Sequence, residues 1–566
     1  MAETLISAGV LARENDQSFI TQGPVTVGAA IIGPTAKGPV EIPTVVTSYS
    51  EYQNKFGSTI TSGSNVYSYF TSIAAYNYFQ NGGETLLVSR VVNGAYTAAT
   101  TTLDGEEGDV SVTFKTIGEG LLMNSSSSLN TDGSMDSGSA DNVRWEVLNS
   151  NSGSGTFDLL VRRGNDTTND KSVLETWTNL SLDPFSSNYV AKRIGDQTST
   201  YTADGTSYYL QTSGAYPNAS RYIRVSAVNA TTPNYLDNSG VAKSAYTASI
   251  PVAQSGGFIS ATGNVKDAAK FYDEITSTDT QGLVGTDYTN MINLLSNSDD
   301  YKFNVLITPG LYDADYTTQL TSIISNTQNR GDNLFILDPV KHGATVTAVT
   351  SQAASRNTSY AASYWPWVQV IDPDTGRQVW VPASTLMAGV FAYNDSVSEP
   401  WFAPAGINRG GLGQVVRPER KLAQATRDAL YTNKVNPIAS FPGTGVVVYG
   451  QKTLQTKSTA LDRVNVRRLL IAMKSYIAGV AQNLVFEQNS AATRNNFLAQ
   501  VNPYLEGIQQ KQGLYAFKVV MDETNNTADV IDRNELIGQI YVQPTKTAEY
   551  IYLDFNVTPT GVAFPA

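Results

Sequence analysis

Residues 304–339, NVLITPGLYDADYTTQLTSIISNTQNRGDNLFILDP, decide the fold. Asn304-Val305-Leu306-Ile307 is a short apolar run of strand type. Residues 316–329 follow with Leu320, Ile323 and Ile324 at helical spacing, and 334–337 is a second apolar run. Continuing outward, 346–356 predicts another helix and Trp367 to Ile371 another strand. Strand, helix, strand, helix, strand in this order implies a parallel sheet with right-handed crossovers. Ligands of such sheets collect at the C-terminal strand ends. Those ends read Thr308-Pro309-Gly310 and Asp338-Pro339, which are turn residues with neither a glycine-rich phosphate loop nor a cluster of ionisable groups. The site expected of an enzyme is missing from the expected place.

Upstream, residues 25–92 carry β-branched runs broken by Gly and Pro, with a helix-length aromatic stretch at 66–79, and read as the first part of the same α/β core. Residues 1–22 hold only Leu5-Ile6 and Val10-Leu11 as apolar pairs, too little for a core, and read as an arm. Between 96 and 245, Ser, Thr, Asn, Asp and Gly dominate and short alternating strands recur at 144–148 and 222–225, while 124–140 is polar and of low complexity. This predicts an inserted β-rich domain with solvated loops.

Downstream, 461–486 has the strongest helical pattern, with Leu461, Val464, Leu469, Met473, Ile477, Val480 and Leu484 on one face and Arg463, Arg467, Arg468 and Lys474 mainly off it. A second helix at 494–510 is interrupted or kinked by Pro503. Strands follow at 514–521 and 539–542. The chain closes on an alternating run, with Ile551, Leu553, Phe555 and Val557 on one face.

The resulting fold class is α/β and α+β, multidomain: a mixed parallel-sheet core, an inserted β-rich domain and a C-terminal α+β domain with extended terminal arms. The expected divisions are an arm at 1–22, core at 23–95, insertion at 96–245, core at 246–430 and an assembly domain at 431–566.

Composition narrows the function. The chain has 566 residues, with 38 Lys+Arg against 50 Asp+Glu, a net charge of −12. Counterion release needs a concentrated basic face, so nucleic acid is not an expected partner. No cysteine is present, which removes disulfides, thiolate nucleophiles and Cys-rich metal sites. The single histidine, His342, cannot build a multi-His metal site and reads as a solvated loop residue. No apolar run approaches the 18 or so residues of a membrane span, and the N-terminus has no secretory pattern, so a soluble protein made in a cytoplasm is expected.

Three motifs invite a chemical reading, and each has a plainer one. Residues 33–39, GPTAKGP, lack the Gly-Lys-Ser/Thr of a phosphate loop, with Pro39 where the lysine should stand. Asp374-Thr375-Gly376 matches the aspartic-protease tripeptide but has no second copy, and Asp372-Pro373-Asp374-Thr375-Gly376 reads better as a tight turn between two strands. Arg463, Arg467 and Arg468 form either a basic patch for an acidic partner or a solvated or locally salt-bridged helix face. Catalytic, cofactor-binding and metal-ligating residues are therefore expected to be absent.

Several stretches resemble the contractile tail sheath proteins of myovirus-type bacteriophages, which are related to R-type pyocin and type VI secretion sheaths. They are Ser7-Ala8-Gly9-Val10 with Glu14-Asn15-Asp16; Gly33, Lys37-Gly38-Pro39, Pro43 and Phe56-Gly57; Phe79 to Gly83 and Arg90-Val91; Trp401 to Gly410; and Asn436, Gly445 to Gly450, Thr453-Leu454, Asn465, Arg467-Arg468, Phe486-Glu487, Asn489, Gly513 and Asp522. Their order and spacing span most of the chain outside 96–245, which resembles nothing assignable.

The resemblance implies a structural subunit that stacks as rings, usually hexameric in that family, around a tail tube and contracts to drive the tube through a bacterial envelope. Implied partners are further copies of the chain, the tube protein, and baseplate and tail terminator proteins. The implied location is the virion tail, after assembly in the host cytoplasm. Terminal segments that add to a neighbour's sheet keep copies linked while their bodies rotate. The expected exchanged strands comprise Ser7, Gly9, Val10, Glu14 and Asp16 at one end and Ile551, Leu553, Phe555 and Val557 at the other. Arg463, Arg467 and Arg468 are candidate charged contacts with the tube or neighbouring sheath. A surface-layer or adhesin-type structural protein is the alternative.

Overall fold

A computed structural model describes residues 26–62, 65–125, 128–264 and 274–552. At its centre lies an eight-stranded sheet in the order Thr44–Val46, Leu86–Arg90, Thr26–Gly33, Lys302–Tyr312, Leu334–Asp338, Ala361–Trp365, Val435–Phe441, Gly445–Val448. The inner pairings are parallel, with Ala29 opposite Val305, Leu306 opposite Phe335, Ile336 opposite Ala362 and Tyr364 opposite Asn436. Both outer strands run antiparallel to their neighbours. Strands buried on both faces need continuous apolar runs, and Ala29-Ala30-Ile31-Ile32 and Leu334-Phe335-Ile336-Leu337 supply them, all almost fully buried.

The helices Phe70–Gln80 and Ser384–Val397 pack on each other and on the strand Lys302–Tyr312, while Thr317–Arg330 packs on Leu334–Asp338. The predicted aromatic helix at 66–79 divides in two. Asn65–Ser68 is a strand paired with Thr59–Ser62, and the helix begins at Phe70. That helix buries residues around most of its circumference, so its sequence has no polar face to mark its start.

The third strand of the predicted parallel series is also corrected. The sheet takes Ala361–Trp365, whereas Val368–Ile371 joins a separate antiparallel sheet with Gln378–Val381 and Val415–Pro418. Pro366, lacking an N–H, separates the two strands, and the small residues Ala361, Ala362 and Ser363 give the first a weak apolar signal.

Two inner strands of the large sheet, Thr26–Gly33 and Lys302–Tyr312, are adjacent in space although the β-rich segment lies between them in sequence. That segment has its own core, which includes Phe114, Trp145, Phe157, Val161, Ile223 and Phe258. It comprises a four-stranded sheet, a three-stranded sheet and the hairpin Thr198–Asp204 with Ser207–Ser213. Ser255–Gly257 pairs with Val143–Asn151, so pairing in this unit extends past residue 245. Arg144 and Arg162, both about 1% exposed, are held by Asp166, and Glu146 also pairs with Arg162.

After the sheet, the helices Val464–Gln482 and Ala491–Gln510 form a third core with Leu469, Met473, Phe497, Val501, Leu505 and Trp401. Pro503 lies inside the second helix and does not interrupt it. Leu514–Val520 and Gln539–Pro544 complete this region as a two-stranded antiparallel sheet.

Candidate functional site: the C-terminal surface

The long helix starts deep in the protein. Val464 through Leu469 are all buried, so Arg467 and Arg468 do not lie on an outer face as their spacing suggested. Arg467 stacks on Tyr360, with its guanidinium 4.0 Å from the ring centroid, and donates to the Ser359 hydroxyl. Arg468 lies over Phe391 and pairs with Asp395 on the helix Ser384–Val397. Aromatic faces and an internal carboxylate give each guanidinium a partner within its own chain, which removes the cost of burial that would otherwise drive it outward. Both residues therefore join the long helix to the central body.

Arg463 differs, with 24% of its side chain exposed. It pairs with Asp462 at 2.9 Å and donates through Nε and Nη2 to Glu549, at 2.7 and 2.9 Å. Glu549 also accepts from the Tyr431 hydroxyl at 2.9 Å and from Gln451 Nε2 at 3.1 Å, and Gln451 reaches Thr547 as well. A fork of guanidinium donors matched to a carboxylate is the strong form of a charge-assisted contact. Residues from three separate stretches thus hold Glu549, near the end of the described residues, against the body.

Beyond that point the side chains face solvent: Ile551 is 77% and Tyr552 87% exposed. Of the predicted exchange residues, Ile551 is the one within the described region; Ser7, Gly9, Val10, Glu14, Asp16, Leu553, Phe555 and Val557 lie outside it. Close by in sequence, the sheet of Leu514–Val520 and Gln539–Pro544 has no third strand among the described residues, and Tyr515 and Tyr541 are exposed on it. A two-stranded sheet is marginal by itself, and its unpaired edges are templates for an added strand.

The remaining sequence motifs are structural. Lys37 is buried and ion-paired with Asp141 at 3.0 Å, while its N–H donates to the Phe56 carbonyl. Asp374 sits in the turn between Val368–Ile371 and Gln378–Val381 and accepts from Tyr49 and Gln53. His342 packs against Trp367 and Trp380, with ring centroids 5.5 and 5.1 Å away, so it is a packed rather than a solvated residue. The indoles cover an imidazole that its loop setting alone would leave in water. Among the described residues no group of three or more His, Cys, Asp or Glu is placed to hold a metal ion, and no helix is long and apolar enough to cross a membrane.

Sequence reasoning missed Glu549, Tyr431 and Gln451. Nothing local marks them, because their partners are distant in the chain. The one available signal was Arg463, a lone cation just before a buried helix start.

Comparison with known proteins places these elements. Residues 281–454 match the phage tail sheath protein central domain, and 456–558 match the phage tail sheath C-terminal domain. The tail sheath protein of Vibrio phage KVP40 is 43% identical over 208 residues, which is 37% of this chain and 31% of that protein. The tail sheath protein of Salmonella phage ViI is 31% identical over 323 residues, covering 53% of this chain and 51% of that protein. The matched segments thus span about half or less of these relatives' own length. The sheath tail protein Lin1278 from Listeria innocua shares the fold, with a TM-score of 0.52 over 92% of this chain and 96% of that one at 10% identity. Residues 281–454 and 456–558, which carry the inner strands from Lys302–Tyr312 to Val435–Phe441, the arginine joints and the Glu549 clamp, are thus similar to the central and C-terminal domains of phage tail sheath proteins.

Proposed function

We propose that this chain is the structural subunit of a contractile tail sheath, polymerising around a tail tube and shortening to drive the tube through a bacterial envelope. The observation that carries this reading is the open two-stranded sheet beside a clamped, solvent-facing terminal run. Among the described residues one element has strand edges without a partner, and the other ends on solvent-facing Ile551 and Tyr552, where the alternating sequence begins. Strand links that persist while the bodies reorient would let a packed interface switch between discrete arrangements without a bound nucleotide. Further copies, the tube, the baseplate and a terminator protein are the partners, the virion tail is the location, and the role is mechanical rather than enzymatic.

The exchanged segments on this reading are residues 7–16 and 551–557. Removing the first twenty residues is expected to leave soluble protein that forms no striated cylinders by negative-stain microscopy, whereas the full chain forms them. Cylinders from the truncated chain that still contract would overturn the exchange. Flat lattices from the full chain would instead favour a surface-layer role. Of the arginines, Arg463 retains the exposure needed for a contact outside the chain, and reversing its charge should change the salt dependence of assembly.

A further inference from the structure

Between the β-rich insertion and the central sheet lies a cavity of about 610 Å³, within the size range of small-molecule sites. The loop following Gly33 forms one wall. The end of the helix Tyr49–Phe56 adds to that wall, and the others come from the insertion: the strand Val110–Glu119, the end of Thr156–Arg163, the start of Ile223–Val228 and the hairpin beginning at Thr198. Lys37, Lys55, Arg163, Arg221 and Arg224 line it, against three carboxylates, so the lining carries 5 − 3 = +2. The whole chain carries −12. The cavity therefore reverses the sign of its protein.

Pairing sharpens the contrast. Lys37 is neutralised by Asp141 at 3.0 Å and Lys55 by Glu51 at 2.9 Å. Glu41 accepts from Asn290, and burial pushes the Glu119 carboxyl upward, which weakens its opposition to an incoming anion. Several other arginines have a carboxylate in direct contact: Arg144 and Arg162 with Asp166, Arg330 with Asp332, Arg356 with Asp313 and Arg468 with Asp395. The buried Arg90, Arg467 and Arg494 donate instead to neutral oxygens: the Gly38 and Glu119 carbonyls, the Ser359 hydroxyl and the Asn489 amide. Among the described residues, the guanidinium groups of Arg163, Arg221 and Arg224 form no direct ion pair or hydrogen bond; Glu119 acts on Arg224 only through space, and Arg163 and Arg224 are half-buried. A desolvated guanidinium without a partner is costly, and its planar fork matches phosphate oxygens two at a time.

We propose that this cavity binds a small, multiply charged phosphate compound, with Arg163 and Arg224 as its principal ligands. Both arginines belong to the insertion and Lys37 belongs to the central body, so the bound anion ties the two units together. This site is independent of the assembly reading.

Thermal unfolding of the full chain, titrated with sodium pyrophosphate at millimolar concentrations, tests the proposal. Sodium chloride at matched ionic strength and citrate serve as parallel arms. A saturable rise in Tm with pyrophosphate, absent with chloride and weaker with citrate, is expected. In R163A/R224A, with an unliganded Tm and circular dichroism matching the parent, affinity should fall by about tenfold or more, the scale of losing charge-assisted hydrogen bonds. R163K/R224K keeps the charge and should bind between the two, and it serves as the test if the alanine variant does not fold. No saturable shift, or equal shifts in parent and variant, would overturn the site. Citrate binding as tightly as pyrophosphate would overturn the phosphate assignment.

Discussion

Asp338 stands at the end of an inner strand, 4% exposed, where it accepts from the backbone N–H and the hydroxyl of Ser384. Those two donors at the start of the helix Ser384–Val397 favour its ionised form, but burial outweighs them and pushes the carboxyl up to about 7. In the unfolded chain the same group titrates near 4. Between these values the folded state holds the extra proton, so this group's contribution to stability is full below about pH 4 and is lost as pH rises through 7. Asp338→Asn retains an acceptor for the Ser384 N–H and cannot ionise. Its unfolding free energy should therefore gain on the parent's between pH 5 and pH 8, by an amount on the order of 3 kcal/mol. Chemical denaturation at the two pH values measures this. A difference that does not change with pH would show that Asp338 stays ionised throughout. The sequence showed Asp338 only as a turn residue, because its isolation from water is made by elements far away in the chain. The same holds for Arg467 and Arg468: spacing along a helix says which residues share a face, but not that Tyr360 and Phe391 will cover that face.

Among elements, one carboxylate gathers most of the side-chain contacts on the terminal run. Glu549→Ala removes the acceptor used by Arg463, Tyr431 and Gln451 while leaving the helices behind it packed. The variant should fold, and proteolysis within 545–552 should accelerate by about tenfold, the equivalent of one lost charge-assisted contact. Limited digestion followed by mass spectrometry reads this directly, and an unchanged cleavage rate would show that the clamp does not hold the run. Legibility at this scale followed burial. The runs 304–307 and 334–337 announced themselves because both faces of those strands are apolar. Ala361–Trp365 did not, since its small residues gain their burial from neighbouring strands. Of the two outcomes Pro503 suggested, an interruption does not occur: its ring lies in a helix whose other residues, Phe497, Val501, Leu505 and Ile508, bury enough apolar surface to carry the helix through.

For the whole molecule, the insertion has a core distinct from that of the large sheet. Its two ends meet, with the Thr97 N–H donating to the Thr262 carbonyl at 3.1 Å. Replacing 98–261 by a short Gly-Ser linker should therefore leave a folded, cooperatively melting protein that no longer responds to pyrophosphate. Insoluble or molten product would mean that the central body depends on the insertion for cover. The change in composition at residue 96 exposed this unit in the sequence. The cavity beneath it could not be seen there, because Lys37 and Arg224 are brought together only when the chain returns.

That return has a consequence for scission. Thr26–Gly33 lies between Leu86–Arg90 and Lys302–Tyr312, bonded to both along its length. A protease nick at the hairpin tip around Gly205 would thus yield two fragments locked by a shared ladder, comigrating on a sizing column and parting only in denaturant. A foreign peptide grafted at that exposed tip would leave the spine beneath it whole.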